Sequence, residues 1–371
     1  MAYVRAAVVR EPGGPFAIES LSMRGPEPGE VRVRIMAAGI CHADLIARDQ
    51  MYPVPLPAVL GHEGAGIVEE CGSGVQALAP GDHVVLGFAY CGRCASCLQG
   101  FPGTCEHTAA LNFGSERPAA EQPLSDSAGT ISSSFFGQSS FAEYAIVAEH
   151  LAVRVPRDIP FELLAPLGCG VMTGAGTVFH VLDPRPGSSI AVFGAGAVGC
   201  AAIMAAVIAG CTTIIAVDVN PRRLEIAREC GATDVLLATD DVASAIRDIT
   251  GERGVDAGLD ATGIAAVFPV LLQSLAVRGH AALVGAPPPG DLAHIDLNPL
   301  LGRGVRISTV LEGDAQPQVF IPELARLLAS GRLPVDRIVS TFPFERINEA
   351  VAAACSGSAV KAVLRVANRP A

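Results

Sequence analysis

Four cysteines lie close together in the pattern Cys91-x2-Cys94-x2-Cys97-x7-Cys105. Thiolates are soft metal ligands, and four of them complete the tetrahedron of a structural zinc ion without leaving an open position. Sets of four cysteines also hold iron–sulfur clusters, so the spacing leaves that alternative open. The pattern therefore predicts a metal site supplied by one short segment of the chain.

A second group of residues suited to metal chemistry is scattered along the chain. His62 lies in the segment Gly61-His62-Glu63-x2-Gly66-x5-Gly72-x2-Val75. A histidine beside a glutamate can equally be a surface pair. Cys41 and Cys169 carry suitable thiols, but they are distant in sequence, and spacing alone does not join them to His62.

A glycine-rich turn predicts a dinucleotide site. The run Gly194-Ala195-Gly196-Ala197-Val198-Gly199 follows a predicted strand and begins a predicted helix, which is the context that gives this motif its meaning. Gly194 permits the tight turn, and Gly196 lets a pyrophosphate approach the backbone at the helix N-terminus. The alternative is an ordinary turn between two core elements.

An acidic residue indicates which dinucleotide is preferred. Asp218 ends the next predicted strand, where a carboxylate accepts hydrogen bonds from the adenosine ribose and repels a 2′-phosphate. This arrangement favours NAD over NADP. Arg222 and Arg223 lie nearby and weaken that preference, because an arginine there can hold a 2′-phosphate.

Composition limits the classes of protein to which the chain can belong. Half of its 371 residues are hydrophobic and 17% are charged, which predicts folded domains with buried cores. The net charge is −11 and no run of five or more basic residues occurs, so nucleic acid is not expected as a partner. No targeting segment or membrane span is apparent, and we expect a cytoplasmic protein.

The texture of the sequence changes near residue 171. Before it, short alternating runs such as 31–35, 66–69 and 82–86 predict a β-rich domain. The polar segment 108–140 is predicted to be a long surface loop. After residue 171, predicted strands and helices alternate, which is typical of a parallel sheet built from βαβ units. The fold class is therefore α/β with a second, β-rich domain.

The whole chain resembles the zinc-dependent medium-chain alcohol dehydrogenases. The resemblance rests on these stretches: Gly39-Ile40-Cys41-His42-Ala43-Asp44, Gly61-His62-Glu63, the four-cysteine segment, Gly168-Cys169-Gly170, the glycine-rich turn, and Phe342-Pro343-Phe344-Glu345-Arg346-Ile347-Asn348-Glu349-Ala350. It implies a GroES-like catalytic domain over residues 1–170 with both zinc sites. It further implies a Rossmann NAD-binding domain over 171–311 and a return to the first domain over 312–371.

The resemblance also implies roles for individual residues. Cys41, His62 and Cys169 would hold a catalytic zinc ion with one open position, and Asp44 would orient His62. Glu63 would lie near that zinc. His42 and Lys361 would contact the coenzyme pyrophosphate, and Thr173 and Val198 would lie against the nicotinamide. The implied reaction is reversible hydride transfer between a small-molecule alcohol and NAD, with two zinc ions in each chain.

The chain departs from the family pattern at the proton relay. Many members have a Ser or Thr two residues after the first zinc cysteine and a His five residues after it, where this chain has Ala43 and Ile46. Absence of the His is familiar from the aryl-alcohol (benzyl alcohol) and terpene-alcohol branch, which the segment 137–144 also resembles. The resemblance thus implies a primary aromatic or allylic alcohol as substrate.

Two other functions share parts of this pattern. Glutathione-dependent formaldehyde dehydrogenases carry an Arg four residues after the last zinc-loop cysteine, where this chain has Ala109. A relative that binds zinc and nucleotide without catalysis would have little reason to keep Cys41, His62 and Cys169. By resemblance, we also expect a homodimer or homotetramer that pairs the edge strand 305–311 of the coenzyme domain.

Overall fold

The computed structural model describes residues 2–114, 122–238 and 241–367. Their contacts divide the chain into two compact units. The first comprises the described parts of Met1–Cys169, Gln316–Ala329 and Val339–Ala371, and the second comprises those of Gly170–Ala315 and Ser330–Ile338.

Two antiparallel β-sheets form the centre of the first unit. The smaller sheet has the order β4-β1-β2-β7-β8. Its strands are β1 Ala2–Val9, β2 Ala17–Met23, β4 Ala58–Val59, β7 Leu124–Asp126 and β8 Gly129–Ile131. The larger sheet has the order β10-β6-β5-β3-β18-β17, and β9 also pairs with β3. Its strands are β3 Glu30–Gly39, β5 Glu63–Cys71, β6 His83–Leu86, β9 Tyr144–Ala148, β10 Ala152–Arg154, β17 Val339–Pro343 and β18 Lys361–Arg365. Among these, β17 and β18 pair in parallel and the other pairs are antiparallel.

Short helices connect these strands. They are α1 His42–Arg48, α2 Ala95–Leu98, α3 Thr108–Phe113, α4 Phe161–Leu164, α11 Pro317–Ala329 and α12 Ile347–Ser356. Single 3₁₀ turns lie at Pro102–Thr104, Phe135–Gly137, Glu149–Leu151, Ala165–Gly168 and Phe344–Arg346.

A six-stranded parallel sheet forms the second unit, in the order β13-β12-β11-β14-β15-β16. Its strands are β11 Ser189–Phe193, β12 Thr213–Asp218, β13 Asp234–Leu237, β14 Val255–Asp260, β15 Leu275–Leu283 and β16 Arg306–Thr309. This is the strand order of a Rossmann fold, in which ligands bind at the carboxyl ends of the strands where the order reverses. β11 is central and its residues 190–193 are buried because both faces of the sheet are covered.

The second unit begins with the helix α5, and its other helices each follow a strand. They are α5 Gly170–Gly176, α6 Ala197–Ala209, α7 Pro221–Glu229, α8 Val242–Ile249, α9 Val267–Ser274 and α10 Leu297–Arg303. α5 continues into π-helical turns over Thr177–Leu182, and 3₁₀ turns lie at Glu312–Asp314 and Val335–Arg337. Both predicted fold types, a β-rich domain and a Rossmann sheet, are confirmed. The predicted strands 31–35 and 66–69 lie within β3 and β5.

The division into units differs from the predicted ranges near the end of the second unit. Residues 312–315 and 330–338 belong to that unit, whereas a single return at residue 312 was expected. Leu333, Val335 and Ile338 are buried apolar residues, and the Arg337 guanidinium donates a hydrogen bond to the Glu229 carbonyl at the end of α7. Apolar burial and this bond hold the short segment to the parallel-sheet unit.

The prediction of a surface loop over 108–140 is wrong for most of its described part. The segment contains α3 and the β7–β8 hairpin, and residues 131 and 133–140 are buried. Ser133, Ser134 and Ser139 are compatible with burial because their hydroxyls hydrogen-bond internally; the Ser139 hydroxyl, for example, donates to the Val59 carbonyl at 2.6 Å. Residues 115–121 lie outside the described part of the chain.

Among the described residues, no single helix is long and apolar enough to cross a membrane. One bent pair of helices, Phe161–Gly168 followed by Gly170–Leu182, satisfies the criterion by length and composition alone.

Candidate functional site

The four clustered cysteines converge around α2. The Cys91 and Cys97 sulfurs lie 3.9 Å apart, as do the sulfurs of Cys94 and Cys105, and all four lie within 4.8 Å of one another. Sulfurs bound at 2.3 Å to one tetrahedral zinc ion would be about 3.8 Å apart. The four thiols therefore fit a single zinc ion, and the space between them is too small for a cluster of several iron atoms.

Backbone amides support these sulfurs. The Cys94 amide donates to the Cys91 sulfur at 3.3 Å, and the His107 amide donates to the Cys105 sulfur at 3.4 Å. Hydrogen bonds led by that from the Cys97 backbone lower the pKa of the Cys94 thiol to about 6. Donors aimed at sulfur favour the thiolate form, which is the form that binds metal.

The second metal cluster is assembled by strand pairing. β3 and β5 are antiparallel with Gly39 opposite Glu63, so the residues that follow β3 and precede β5 become neighbours. These residues are Cys41 and His62. The close approach requires glycine at position 39, because a Cβ there would lie 1.9 Å from a carboxylate oxygen of Glu63.

Cys169 completes the cluster from a distant part of the sequence. It follows the 3₁₀ turn Ala165–Gly168, and Gly168 lets that turn approach β6, since a Cβ there would lie 2.3 Å from the Leu86 carbonyl oxygen. The Cys169 sulfur lies 3.3 Å from Nε2 of His62. The ligand atoms of Cys41, His62, Glu63 and Cys169 all lie within 4.8 Å of one another, a donor set and spacing that fit a catalytic zinc ion.

Asp44 fixes the orientation of His62. One carboxylate oxygen accepts from Nδ1 of His62 at 2.8 Å and from the Gly61 amide, and the other accepts from the Cys41 amide at 2.8 Å. Nδ1 therefore carries the proton, and the lone pair of Nε2 points toward the thiols. These contacts support the orienting role predicted for Asp44, which stays a prediction.

Electrostatics in this cluster favours the thiolate of Cys41, which is its ligating form, and the imidazolium of His62, which must give up its Nε2 proton to bind zinc. Hydrogen bonding with the Cys169 thiol, opposed by burial, lowers the pKa of Cys41 well below its usual value. Burial alone would lower the pKa of His62, but Asp44 and Cys41 outweigh it and raise that pKa well above the usual value. A positive ion placed among these groups would satisfy the negative charge of the thiolates.

Glu63 and Lys361 form a buried ion pair next to the cluster. The Lys361 ammonium donates to the two Glu63 carboxylate oxygens at 2.7 and 2.9 Å and to the Ile40 carbonyl at 3.1 Å. Burial raises the pKa of Glu63 to about 7, although Lys361 opposes the shift. All three ammonium hydrogens have partners, so the predicted pyrophosphate contact would require one of these bonds to break, and it stays a prediction.

Aromatic rings surround the imidazole of His62. The Phe136 ring stacks on it at 4.4 Å between centroids with 29° between the planes, and the Phe135 ring meets it edge-on at 5.6 Å. Phe113 lies 5.7 Å from the Phe136 ring, and Tyr52 lies 5.5 Å from Phe113. The zinc ligands thus border an apolar, aromatic wall in the first unit.

The predicted dinucleotide turn lies at the carboxyl end of β11. Gly194 has a φ of +91°, and a Cβ at Gly199 would lie 1.8 Å from the Gly194 carbonyl oxygen. Gly196, by contrast, has open space beside it. A Cβ built at this position would have no heavy atom of the described residues within 4 Å, its chain neighbours aside. This open space at the start of α6 fits a pyrophosphate group.

Asp218 lies beside the same turn. Its carboxylate accepts from the Ala195 amide at 2.7 Å and from the Asn220 amide at 2.8 Å, and Arg223 lies 4.0 Å away. The structure therefore brings the acidic residue, the glycine turn and the arginine together. These bonds use one lone pair of each carboxylate oxygen and leave acceptor capacity for ribose hydroxyls.

The remaining predicted coenzyme residues lie in both units. In the second unit, a Cβ at Gly174 would lie 2.1 Å from the Val198 carbonyl oxygen, so α5 brings Thr173 close to the start of α6. The Thr173 hydroxyl also donates to Glu312 at 3.4 Å. His42 belongs to the first unit, where it is the exposed first residue of α1. Their contacts with a coenzyme stay predictions.

Sequence reasoning missed the aromatic wall, the Glu63–Lys361 pair and the role of Gln138. The Gln138 amide donates to the His62 and Gly87 carbonyls and accepts from the Gly64 amide. A signal was present, since Phe135 and Phe136 are adjacent apolar residues in a stretch interpreted as a polar loop. The ion pair left no local signal because its partners are 298 positions apart.

Comparison with known proteins agrees with this geometry. Residues 27–157 match the family described as alcohol dehydrogenase GroES-like domain, and residues 197–330 match zinc-binding dehydrogenase.

The chain is 42% identical over 363 residues to geraniol dehydrogenase of Castellaniella defragrans, covering 97% of each. A zinc-binding alcohol dehydrogenase domain protein from Burkholderia ambifaria has a similar structure (51% identity, TM-score 0.96), covering 99% of this chain and all of that one. Benzyl alcohol dehydrogenase from Acinetobacter calcoaceticus is also similar (43% identity, TM-score 0.93), with the same coverage. The chain belongs to the zinc-binding alcohol dehydrogenase family.

Proposed function

We propose that the protein oxidises a primary aromatic or allylic alcohol to the aldehyde, reversibly, with NAD as the hydride acceptor. The observation that carries this proposal is the Cys41–His62–Cys169 cluster bordered by the aromatic wall of Phe135 and Phe136. In this assignment the first unit is the catalytic domain and the second binds the coenzyme. The four-cysteine cluster has a structural role.

The residues of the first unit divide the work of catalysis. Zinc held by Cys41, His62 and Cys169 would lower the pKa of the alcohol hydroxyl, and NAD would take the hydride from the alcohol carbon. Asp44 keeps the imidazole in the orientation that directs Nε2 toward the thiols. The rings of Phe135 and Phe136 exclude water from the zinc ligands, which strengthens electrostatic interactions there.

The substrate class is supported by two independent observations. The relatives with similar sequence and structure include proteins named for geraniol, an allylic alcohol, and for benzyl alcohol. The Tyr52 ring continues the aromatic wall and is half-buried, and it would suit a flat, apolar substrate through stacking or edge contacts.

The preference for NAD is supported by Asp218. An additional phosphate on the adenosine ribose would meet this carboxylate, whose two oxygens already accept from backbone amides. Arg223 lies close enough to pair with Asp218 and so does not present an isolated charge to a phosphate. We therefore expect a lower KM for NAD than for NADP.

The test is NADH formation from benzyl alcohol, geraniol, ethanol and a secondary alcohol, each with and without a metal chelator. We expect turnover of benzyl alcohol or geraniol that the chelator abolishes. Turnover confined to ethanol or to the secondary alcohol would refute the substrate class. Absence of turnover on all four, with zinc and NAD still bound, would favour a relative that has lost catalysis.

We further propose a cytoplasmic homodimer or homotetramer. Reduced thiols are what the two cysteine clusters require, which favours a reducing compartment. For the assembly, β16 lies at the edge of the parallel sheet, where a second copy can extend it. Exposed apolar side chains accompany this edge: Leu292, Leu297, Leu301, Ile307 and Leu311.

A further inference from the structure

Phe136 has an unusual backbone conformation for a large side chain. Its φ of 51° and ψ of 30° lie in the left-handed region, where bulky residues are rare outliers. Strained residues of this kind persist only where the surrounding structure holds them in place, and they cluster at functional sites. The strain at Phe136 therefore calls for a physical reason.

The segment around Phe136 is anchored tightly to the strand region that carries His62. The Phe141 amide donates to the Leu60 carbonyl at 3.0 Å and the Ser140 amide donates to the Gly61 carbonyl at 2.9 Å. The Gln138 side chain bonds the His62 carbonyl and the Gly64 amide. On the N-terminal side of Phe136, the Ser132 amide donates to the Pro57 carbonyl at 3.0 Å, and the Ser132 carbonyl accepts from the Val59 amide at 2.8 Å. Bonds on both sides therefore hold the segment, with the Phe136 ring against the imidazole.

The contact between the Phe136 ring and His62 constrains the plane of the imidazole ring. Asp44 bonds Nδ1 of His62 and the Cys169 sulfur lies 3.3 Å from Nε2, and contacts at these two atoms still allow the ring to rotate about the line that joins them. The Phe136 ring covers one face of the imidazole at 4.4 Å, and Phe135 meets it at 83° between planes. Both rings are buried, and His62 is 1% exposed, so rotation of the imidazole would displace packed aromatic groups.

We propose that Phe136 is a positioning residue for the catalytic metal, holding the His62 imidazole so that Nε2 faces the thiols of Cys41 and Cys169. Asp44 fixes the tautomer and one atom of the ring, and Phe136 fixes the plane. The strained backbone is the consequence of placing a flat ring against the face of the imidazole from a segment bonded on both sides. The proposal rests on zinc-dependent alcohol oxidation at this cluster.

The experiment measures zinc release and metal geometry without substrate. The full-length, zinc-loaded protein is mixed with excess chelator, and release of the two zinc equivalents is followed over time. The equivalent held by the four cysteines is the internal reference. In parallel, cobalt(II) replaces zinc at the His62 site and its visible spectrum reports the ligand geometry.

Three variants separate positioning from general packing. Phe136→Leu keeps an apolar side chain but removes the stacked ring. It should release one zinc equivalent about tenfold faster, as other changes behind a metal-ligating histidine do, and shift the cobalt spectrum. Phe136→Tyr keeps the aromatic ring and should have the release rate and the cobalt spectrum of the wild type. Phe113→Leu removes a ring of the same wall that touches Phe136 rather than His62, and it should leave both readouts unchanged.

Two results would overturn the proposal. One is a wild-type release rate and an unaltered cobalt spectrum in Phe136→Leu. The other is equal acceleration by Phe113→Leu, which would indicate loosening of the whole wall. If Phe136→Leu fails to fold, Phe136→Asn decides, because asparagine tolerates the left-handed backbone and carries no aromatic ring. Since no alcohol is used, failure here is distinguishable from failure of the proposed substrate class.

Discussion

The residues around His62 comprise metal ligands and residues that support those ligands. The thiols and the imidazole supply metal-binding atoms, Asp44 sets the tautomer, and the Glu63–Lys361 pair places a buried positive charge beside the thiolates. Buried ions are tolerated only when each is paired and hydrogen-bonded, which is the case for Lys361. The chemistry of the cluster therefore depends on residues that do not themselves bind metal.

The missing proton relay gives a first prediction at the residue scale. Position 43 carries no hydroxyl and position 46 no imidazole, so neither Ala43 nor Ile46 can carry the alcohol proton away. Ala43→Thr should raise the rate of alcohol oxidation by about tenfold on the acid side of the pH profile, as part of a relay is restored. Steady-state kcat against pH measures it.

The matched control for this change is Ala43→Val, which has nearly the shape of threonine without its hydroxyl. It should leave both the rate and the pH profile as they are in the wild type. An equal response of the valine and threonine variants would mean that side-chain bulk, rather than proton transfer, changes the rate.

The buried ion pair gives a second prediction at the residue scale. Lys361→Met leaves the Glu63 carboxylate buried without its partner, which should cost about 3–5 kcal/mol of unfolding free energy. The loss should grow as pH rises, because removing Lys361 raises the folded-state pKa of Glu63 and the ionised form is the destabilised one. Urea unfolding of the zinc-loaded protein at several pH values measures it.

The double variant Lys361→Met/Glu63→Gln is the control, since it removes the stranded charge and should recover part of the stability. A Lys361→Met protein as stable as the wild type but with a raised KM for NAD would contradict this assignment. That result would support the pyrophosphate contact instead.

Elements of the second unit hold their contacts through close backbone approaches. Glu312, Gly313 and Asp314 form a turn of three successive left-handed residues, with φ values of 52°, 71° and 48°. The turn packs on α5, where it brings Glu312 to the Thr173 hydroxyl. It also packs on the π-helical turns that follow α5, where the Gly313 carbonyl accepts from Nδ1 of His180 at 3.1 Å. Glycine is required at its centre because a Cβ at position 313 would lie 2.5 Å from the Met172 carbonyl oxygen.

A prediction at the element scale compares two glycines. Gly313→Ala should destabilise the protein through both its φ and its steric conflict with α5. Gly251→Ala has a similar φ of 60° but open space around the added carbon, so it should lose only the conformational part. We expect a cost of about 1 kcal/mol for Gly251→Ala and about 1–3 kcal/mol more for Gly313→Ala.

Urea unfolding of both variants measures this difference. Equal losses would show that α5 yields to the added methyl group and that the turn is not tightly packed. A larger loss for Gly313→Ala accompanied by a raised KM for NAD would connect the turn with the predicted coenzyme contact of Thr173.

On the scale of the whole molecule, the two edges of the parallel sheet differ. The β16 edge is accompanied by several exposed leucines and by Ile307, which is 46% exposed. The opposite edge, β13, has Leu237 at 50% exposure. Exposed apolar side chains beside an unpaired strand edge are typical of a surface that meets a second copy.

The corresponding prediction concerns assembly. Ile307→Lys places a charge at the β16 edge and should shift the protein to smaller species in sedimentation velocity, because a buried unpaired lysine opposes association. Leu237→Lys makes the same change at the other edge of the sheet and should not alter the assembly. Dissociation by Leu237→Lys alone would assign the interface to β13.

Patterns among residues that are close in the sequence were sufficient to predict two of the sites and the fold of the second unit. The four-cysteine site lies in one segment, 91–105, so residue types and spacing were sufficient to predict it. The glycine turn was equally readable, because a left-handed φ at Gly194 and a helix starting at Ala197 are properties of neighbouring residues. The alternation of strands and helices after residue 171 predicted the parallel sheet for the same reason.

The tertiary structure decided what depends on long-range pairing. Antiparallel pairing of β3 with β5 brings Cys41 to His62, and pairing of β3 with β18 brings Lys361 to Glu63. The Phe136 ring reaches His62 only because hydrogen bonds tie its segment to residues 59–64. Sequence periodicity indicates which face of a strand is buried, but it does not indicate which strand lies beside it. The neighbours of a strand are determined by the packing of all elements together.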